Sequence, residues 1–563
     1  MTDTKPNPTE IVRGEIQPWT DYESYRKPAG GPVLRAFLDD LLPESASRTL
    51  VAGPHGADVV ELVAGRSAHV TVLVRSVSDA ATLRERFAGA EVTVLAGALD
   101  GLVDHGTEPF DVVLAADGLD RLLGADSPAL DWPERAALLR RLATPEALVV
   151  VGVENEFGLT GLLDSRPLDE RHGDDEWRPL HDDPHRPTSP AQVAEALTGL
   201  GLAVHASYAS FDPAGLPHTL LRDAAAAGTR PGRPAARLAT AGLSAAAAHA
   251  PLLTSVADGA AAAARAGQLS AVAPGWLVVC GTGGGTTRTG YAAYGGGVLA
   301  ADLTDATWQT RFQPADGTTT SGVVFDPALV AAQVPDTESA ETLLFRLAAA
   351  EDVPGFRRLA ARFGAWAEDG RILALDDVQV DGDGFASGFS GWRPADPAGR
   401  DELLAAAWHR FRDRLVHAHR RHPWPPWMVD GDDLVSTWLG MSGVEADAAV
   451  LKRGREIADA LAAAADVAAE QPDVRTLLAD AEENRKKVTE LAGHIFGLER
   501  TLRFRDKSLK TREQQLRAIR DELRKLKYSR SMQLVLAIRK VAGLRKPKRL
   551  AKAVKRRIPR RDL

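Results

Sequence analysis

Between Arg48 and Ala64 the chain reads as strand, glycine turn and helix, and this unit limits the folds open to it more than any other stretch. Thr49–Ala52 is a short apolar run, Gly53-Pro54-His55-Gly56 breaks it, and Val59, Val60, Leu62 and Val63 follow at helical spacing. Glycines at such a turn let backbone approach a ligand, and the helix behind them offers unpaired N–H groups. The pattern repeats downstream. Val70–Val74, Val92–Ala96, Phe110–Ala115 and Ala147–Val153 read as strands, and Asp79–Phe87, Trp132–Leu142 and Val193–Leu200 as helices. Repeated units of this length predict an α/β fold, with a mostly parallel sheet covered on both faces. Ala203–Tyr208 and Thr219–Leu221 follow with no helix between them, which predicts an antiparallel hairpin at the sheet edge.

Three stretches carry a family resemblance. Phe110-Asp111-Val112-Val113-Leu114-Ala115-Ala116-Asp117 resembles the fourth strand and loop of class I S-adenosylmethionine-dependent methyltransferases. Val153-Glu154-Asn155-Glu156-Phe157-Gly158-Leu159 resembles a Glu-Asn-x-x-Gly-Leu stretch of methyltransferases from surface-polysaccharide pathways, of an actinobacterial type. Pro187-Thr188-Ser189 before Gly199-Leu200-Gly201-Leu202 is similar to their capped helix and following turn. The resemblance covers about residues 30–225 and implies a Rossmann-like domain with S-adenosylmethionine as cofactor. It implies that Gly53, His55 and Gly56 line the cofactor turn, that Asp117 sits at the carboxyl edge, and that Glu154 or His172 is the general base. Two positions depart from the family pattern. Ala52 replaces an acidic residue before the turn, and Val74-Arg75-Ser76 stands where the second strand ends in a ribose-holding carboxylate. An arginine accepts no hydrogen bond from a ribose hydroxyl. Two functions therefore stay open: a methyltransferase, or a non-catalytic oligomeric scaffold that keeps a degenerate form of the fold.

The expected organisation is a polar leader over 1–30, the methyltransferase-like domain over 31–225 and an Ala-rich linker with helices over 226–269. A second α+β domain over 270–445 and a helical connector over 446–473 follow. The polar segment Arg171–Pro190 crowds His and Asp around Trp177, and reads as a substrate-covering loop, a plain solvated loop or a metal site. Its prolines and the absence of helical ligand spacing argue against metal, and no metal ligand is assigned. Gly275–Cys280 is an apolar strand ending in Gly281–Thr287. That glycine loop lacks Gly-Lys-Ser/Thr and reads as a hairpin tip, with Tyr291–Leu303 returning. Leu375–Phe385 with Phe389-Ser390-Gly391-Trp392 resembles a worn kinase pattern, with Asp377 and Ser390 at its magnesium positions. A plain hairpin turning at Asp381–Gly384 is the preferred reading.

The last 90 residues, Val474–Leu563, carry 28 Lys+Arg against 10 Asp+Glu, which leaves 40 against 66 elsewhere. Within them apolar residues recur at 3,4 spacing from Val474 to Leu526, broken only by Asn484, Arg505 and Arg512, all at d when Val474 is a. Such heptads predict an α-helical coiled coil over 474–528 and a homo-oligomer. A basic amphipathic tail over 529–563 follows. Met532, Val535, Leu536, Ile538 and Val541 give an apolar face, and Arg545–Arg561 is polybasic. That pairing suits an anionic membrane surface through 532–561. Nucleic acid is disfavoured, because no aromatic follows Tyr528. Met1–Trp19 has three prolines and no apolar signal-type run, and the single Cys280 suits a reducing compartment. The expected place is cytoplasmic, on the inner face of the plasma membrane. Methyltransferase, coiled coil and basic tail in this order resemble polysaccharide chain-terminating methyltransferase–kinases. This implies a glycan or glycolipid acceptor and glycosyltransferase machinery as a partner.

Overall fold

The computed structural model of the protein describes residues 10–17, 19–23, 26–158, 183–211, 216–247, 255–281, 284–314, 319–320, 322–418, 420–429, 431–464 and 474–544. The chain forms two compact units, Met1–Asp473 and Val474–Leu563.

The first unit, the head, is built on one mixed sheet. Its strands in chain order are β1 Glu10–Ile11, β2 Ala46–Ala52, β3 Ser67–Val74, β4 Val92–Ala96, β5 Phe110–Ala115, β6 Ala143–Glu154, β7 Val204–Phe211, β8 Thr219–Arg222, β9 Gly275–Cys280, β10 Gly290–Tyr294, β11 Gly297–Thr304, β12 Thr307–Pro314 and, further on, β15 Gln333–Pro335. β13 Thr319–Thr320, β14 Val323–Phe325 and β18 Trp392–Pro394 form a small sheet, and β16 Val378–Asp381 pairs with β17 Gly384–Ser387. In space the large sheet runs β1-β4-β3-β2-β5-β6-β9-β7-β8-β10-β11-β12-β15. From β4 to β6 all neighbours are parallel. The order β4-β3-β2-β5-β6 is that of a doubly wound sheet, with its switch point between β2 and β5. Helices Gly31–Leu41 and Ala57–Ala64 bury their apolar stripes on one face, and Trp132–Leu142 and Pro190–Gly199 on the other. The head thus has a doubly wound α/β fold.

The sheet does not stop at residue 225. β9, which the sequence places at the start of a second domain, lies between β6 and β7 and runs antiparallel to both. All of its residues are buried, and a fully apolar strand is stable only with neighbours on both edges and cover on both faces. The expected β9–β10 hairpin is therefore absent. β10 instead pairs with β8 and β11, which carries the sheet onward through β12 to β15. The hairpin of β7 and β8 does form, though β9 separates it from β6. Beyond β15 the head is mainly helical. Ala340–Ala349 and Val353–Trp366 are separate helices, divided where Glu351 takes φ +58 and Pro354 opens the second. They pack with Arg400–His417 and Asp433–Met441 around Phe356, Trp408, Phe411 and Trp438.

In the second unit Val474–Tyr528 is one unbroken helix, and Ser529 caps the next, Arg530–Leu544, by accepting the Met532 N–H. The apolar a and d side chains from Leu477 to Leu526 form an uncovered seam, 46–65% exposed. No helix among the described residues is long and apolar enough to cross a membrane.

The place of β9 is testable by Leu277→Ala, a truncation of a side chain only 4% exposed within it. It is expected to cost about 2–5 kcal/mol. The whole thermal transition of the head should move. Movement of a late or early fraction alone would mean that residues 270–445 fold apart from the first sheet.

Candidate functional site at the carboxyl edge

In a doubly wound sheet, ligands bind outside the carboxyl ends of the strands at the switch point. Here that edge carries Gly53–Gly56 after β2, Arg75-Ser76 after β3, Gly97 after β4, Ala116-Asp117 after β5 and Glu154-Asn155 after β6. Gly53 takes φ +88, a backbone state that disfavours a side chain. His55 is fully buried and bridges the switch point. Its Nδ1 lies 3.0 Å from Gly53 O, and its Nε2 accepts from Ala116 N–H at 3.2 Å, which fixes the Nδ1–H tautomer. Burial lowers the His55 imidazole below its usual range, against the opposing pull of the Gly53 carbonyl and Asp117. It is a neutral staple of the turn, with no face turned to solvent.

The described leader residues, 10–17, 19–23 and 26–30, run along this edge and cover it. β1 adds in parallel to β4, and Val12 N donates to Ala96 O at 2.9 Å. Ile16 N donates to Arg75 O at 2.7 Å. Asp21 then takes both Nε and Nη2 of Arg75 at 2.7 Å, while Arg75 Nη1 reaches Leu123 O at 3.3 Å. Arg75 and Asp21 are 1% and 2% exposed, and Trp19 lies against the guanidinium. Tyr22 OH donates to His55 O at 2.9 Å. Arg26 donates to Asp117 O at 3.1 Å and pairs with Glu154 at 3.0 Å. Ala29 closes the path by exchanging bonds with the turn, donating to Pro54 O and accepting from Gly56 N.

Asp117 lies under this cover. Burial opposes its ionisation, but the Arg121 guanidinium, gripping both its oxygens, and Arg26 hold its carboxyl below the usual range. Arg121 also donates to the leader carbonyls of Asp21, Arg26 and Lys27. The structure thus brings Gly53, His55, Gly56, Asp117 and Glu154 to one edge. Glu154 is engaged by Arg26 and lies 4.0 Å from Arg186, so it is ion-paired and not a free base. His172 lies outside the described residues. So does most of the polar segment around it, but the segment is described from Asp183 onward. Asp183 accepts from Trp132 N and pairs with the fully buried Arg135. Among the described residues no cluster of metal-ligating side chains occurs.

Asp377 and Ser390, the magnesium positions of the kinase-like pattern, serve packing. Asp377 accepts the backbone N–H of Phe389 and Ser390 and pairs with Arg237 from helix Pro234–Ala246. β16 and β17 turn at Asp381–Gly384 as a plain hairpin.

As closed here, these residues do not fit a nucleoside cofactor. The guanidinium of Arg75, just after β3, already holds Asp21, and leader atoms lie along the edge where such a ligand would rest. Sequence reasoning missed Asp21, Tyr22, Arg26 and Arg121. Arg121 lies in a loop four residues after Asp117, where spacing carries no pairing signal.

No protein-family model matches the sequence, and no curated protein does. Among solved structures, similarity is found to the N-methyltransferase NodS of Bradyrhizobium japonicum WM9 with S-adenosyl-L-homocysteine. Identity is 20% over 22% of this chain and 59% of that one, with a TM-score of 0.17. The 1,6-didemethyltoxoflavin-N1-methyltransferase of Burkholderia thailandensis, with S-adenosylhomocysteine, is 18% identical over 29% and 63%, TM-score 0.19. A putative methyltransferase of Haloferax volcanii, in complex with the Trm112 activator, is 17% identical over 31% and 70%, TM-score 0.24. This chain therefore spans about three fifths of the first two. At these scores the fold assignment rests on the strand order alone.

Asp117→Asn would leave two guanidiniums facing a neutral group and is expected to cost about 3–5 kcal/mol in urea unfolding. His55 adds a pH dependence. The folded head keeps it neutral, while the unfolded chain protonates it below about pH 6.5. Stability is therefore full above that value and falls as pH drops below it. Thermal midpoints should decline from pH 7.5 to pH 5, and His55→Gln should flatten part of that decline. An unchanged slope would show that His55 titrates alike in both states.

Proposed function

We propose that the head is a methyltransferase-type module whose donor, of the S-adenosylmethionine class, takes the switch-point crevice once the leader has left it. The observation that carries this reading is the position of the turn. Gly53 at φ +88 and the N-terminus of helix Ala57–Ala64 stand opposite Asp117 across the β2–β5 switch point. With the leader away, Asp79 would lose the Asp21 N–H and become an acceptor, while Arg121 would keep Asp117 and lose the leader carbonyls that it now meets. The acceptor of the methyl group is a glycan or glycolipid of surface-polysaccharide assembly, a reading supported by the Glu154-Asn155 stretch. A second reading, a non-catalytic scaffold, is favoured by the buried Asp21–Arg75 pair, which removes the ribose acceptor that the fold ordinarily places there. Calorimetry of the full chain with S-adenosylhomocysteine at millimolar concentration separates the two. Heat of binding supports the donor reading, and neither heat nor thermal shift supports the scaffold.

The C-terminal unit is proposed to multimerise with second copies of itself and to bind anionic membrane on its cytoplasmic side, close to glycosyltransferase machinery. The exposed heptad seam supports the first part. Arg505 and Arg512, the guanidiniums at d, are each followed by an acid at e, Asp506 and Glu513. In a parallel pair the facing helix presents its e side chain beside each d knob, so each arginine meets a carboxylate. Sedimentation should therefore show self-association that weakens several-fold in the double reversal Asp506→Lys, Glu513→Lys. Equal association would place the seam in another register. For the tail, binding to vesicles is expected to need anionic lipid and to vanish on deleting residues 532–563. Equal binding to neutral vesicles would contradict an electrostatic anchor.

A further inference from the structure

We infer that the leader, in its described residues 10–17, 19–23 and 26–30, is a displaceable strap, an intramolecular competitor of the donor, so that the crevice is closed at rest and opens when the strap leaves. The inference rests on the donor reading above and adds a regulatory device to it.

Two features of the leader set it apart from ordinary core. It is held by polar groups at the places a ligand would use. Ile16 takes the Arg75 carbonyl, Asp21 the Arg75 guanidinium, Tyr22 the His55 carbonyl, Arg26 Asp117 and Glu154, and Ala29 the N–H of Gly56. The last is an N–H at the N-cap of helix Ala57–Ala64, the kind of donor that a nucleotide-binding turn offers its ligand. The leader also buries little apolar surface. Among its described residues Val12 and the small Ala29 are the buried apolar side chains, while Trp19 and Tyr22 are half-covered and Ile11 is 47% exposed. Opening therefore costs chiefly the polar bonds at Arg75, Asp117 and the turn, which water or a ligand can answer, rather than apolar burial, which neither can restore. A donor whose polar groups satisfied the same partners would exchange one bonded set for another.

The β4 end of the strap is seated by shape. Gly101 and Gly124 are glycines because the strap backbone passes directly over them. A Cβ at Gly101 would collide with the Arg13 carbonyl oxygen, and one at Gly124 with the Gly14 carbonyl oxygen. Neither residue belongs to the turn or to the charged groups beneath the strap. They therefore allow the strap to be loosened while the crevice keeps its own residues.

The test uses the full chain and S-adenosylhomocysteine as probe. Calorimetry gives the affinity of the wild type, of Gly101→Ala and of Gly124→Ala. Hydrogen exchange follows the amides of Val12, Ile16, Asp21 and Ala29, all hydrogen-bonded in the closed form. Expected is an affinity at least tenfold higher in either variant than in the wild type. In the wild type, saturating S-adenosylhomocysteine should also speed exchange at those amides, an arm that needs no variant to fold. Equal affinity in all three proteins, or strap amides that stay protected when the probe is bound, would overturn the inference and leave the donor reading standing. No binding by any form, with strap amides already exchanging freely in the variants, would remove the donor reading and the competition together.

Discussion

The buried ion pair between Asp21 and Arg75 organises the carboxyl edge of this sheet. A guanidinium that is 1% exposed must have its charge and N–H groups answered nearby, because a buried unpaired charge is among the costliest defects a fold can carry. Arg75 follows β3, and its Nη1 reaches the Leu123 carbonyl. Asp21 meets its Nε and Nη2 in bidentate geometry. Such a pair adds little net stability beside an apolar equivalent, since both ions lose water. What it contributes is position. Once Asp21 is fixed on Arg75, its backbone carbonyl lies over Arg121 and Trp19 lies beside the guanidinium, and the leader has one path across the strands.

That path explains why the site looks as it does. Asp117 beneath it is ionised against burial by Arg121 and Arg26, and Arg121 in turn uses leader carbonyls to complete its donors. His55, neutral and locked in one tautomer, ties the glycine turn to the loop after β5, so the turn keeps its shape whether or not the leader covers it. The chemistry at this edge is thus an alternating set of guanidiniums and carboxylates closed by the chain's own backbone.

Much of the first sheet was legible in the sequence, because β2 to β6 are apolar runs separated by helical periodicity, and burial alone dictates both. The turn and Asp117 were legible for the same reason: a glycine break or a polar residue at the end of such a run must lie at the carboxyl edge. Two things were not. β9 has six consecutive apolar residues, which say that it is buried but not between which strands, so its antiparallel place between β6 and β7 could not be read. The leader is polar and without period, and nothing in the spacing of Asp21 and Arg75, 54 residues apart, marks them as partners. Arg75 was visible as a departure from the pattern, but the carboxylate that makes it tolerable was not.

The second unit follows a different logic. Its helix exposes an apolar seam that a single chain does not cover, and its charge is opposite to that of the rest of the protein. In the head, one buried pair sets the leader's place. A double-mutant cycle with Asp21→Ala, Arg75→Met and the double variant, followed by urea unfolding of the full chain, measures its share. A coupling of about 2 kcal/mol or more is expected, each single change leaving a partner unanswered. Changes that add to within about 0.5 kcal/mol would contradict it.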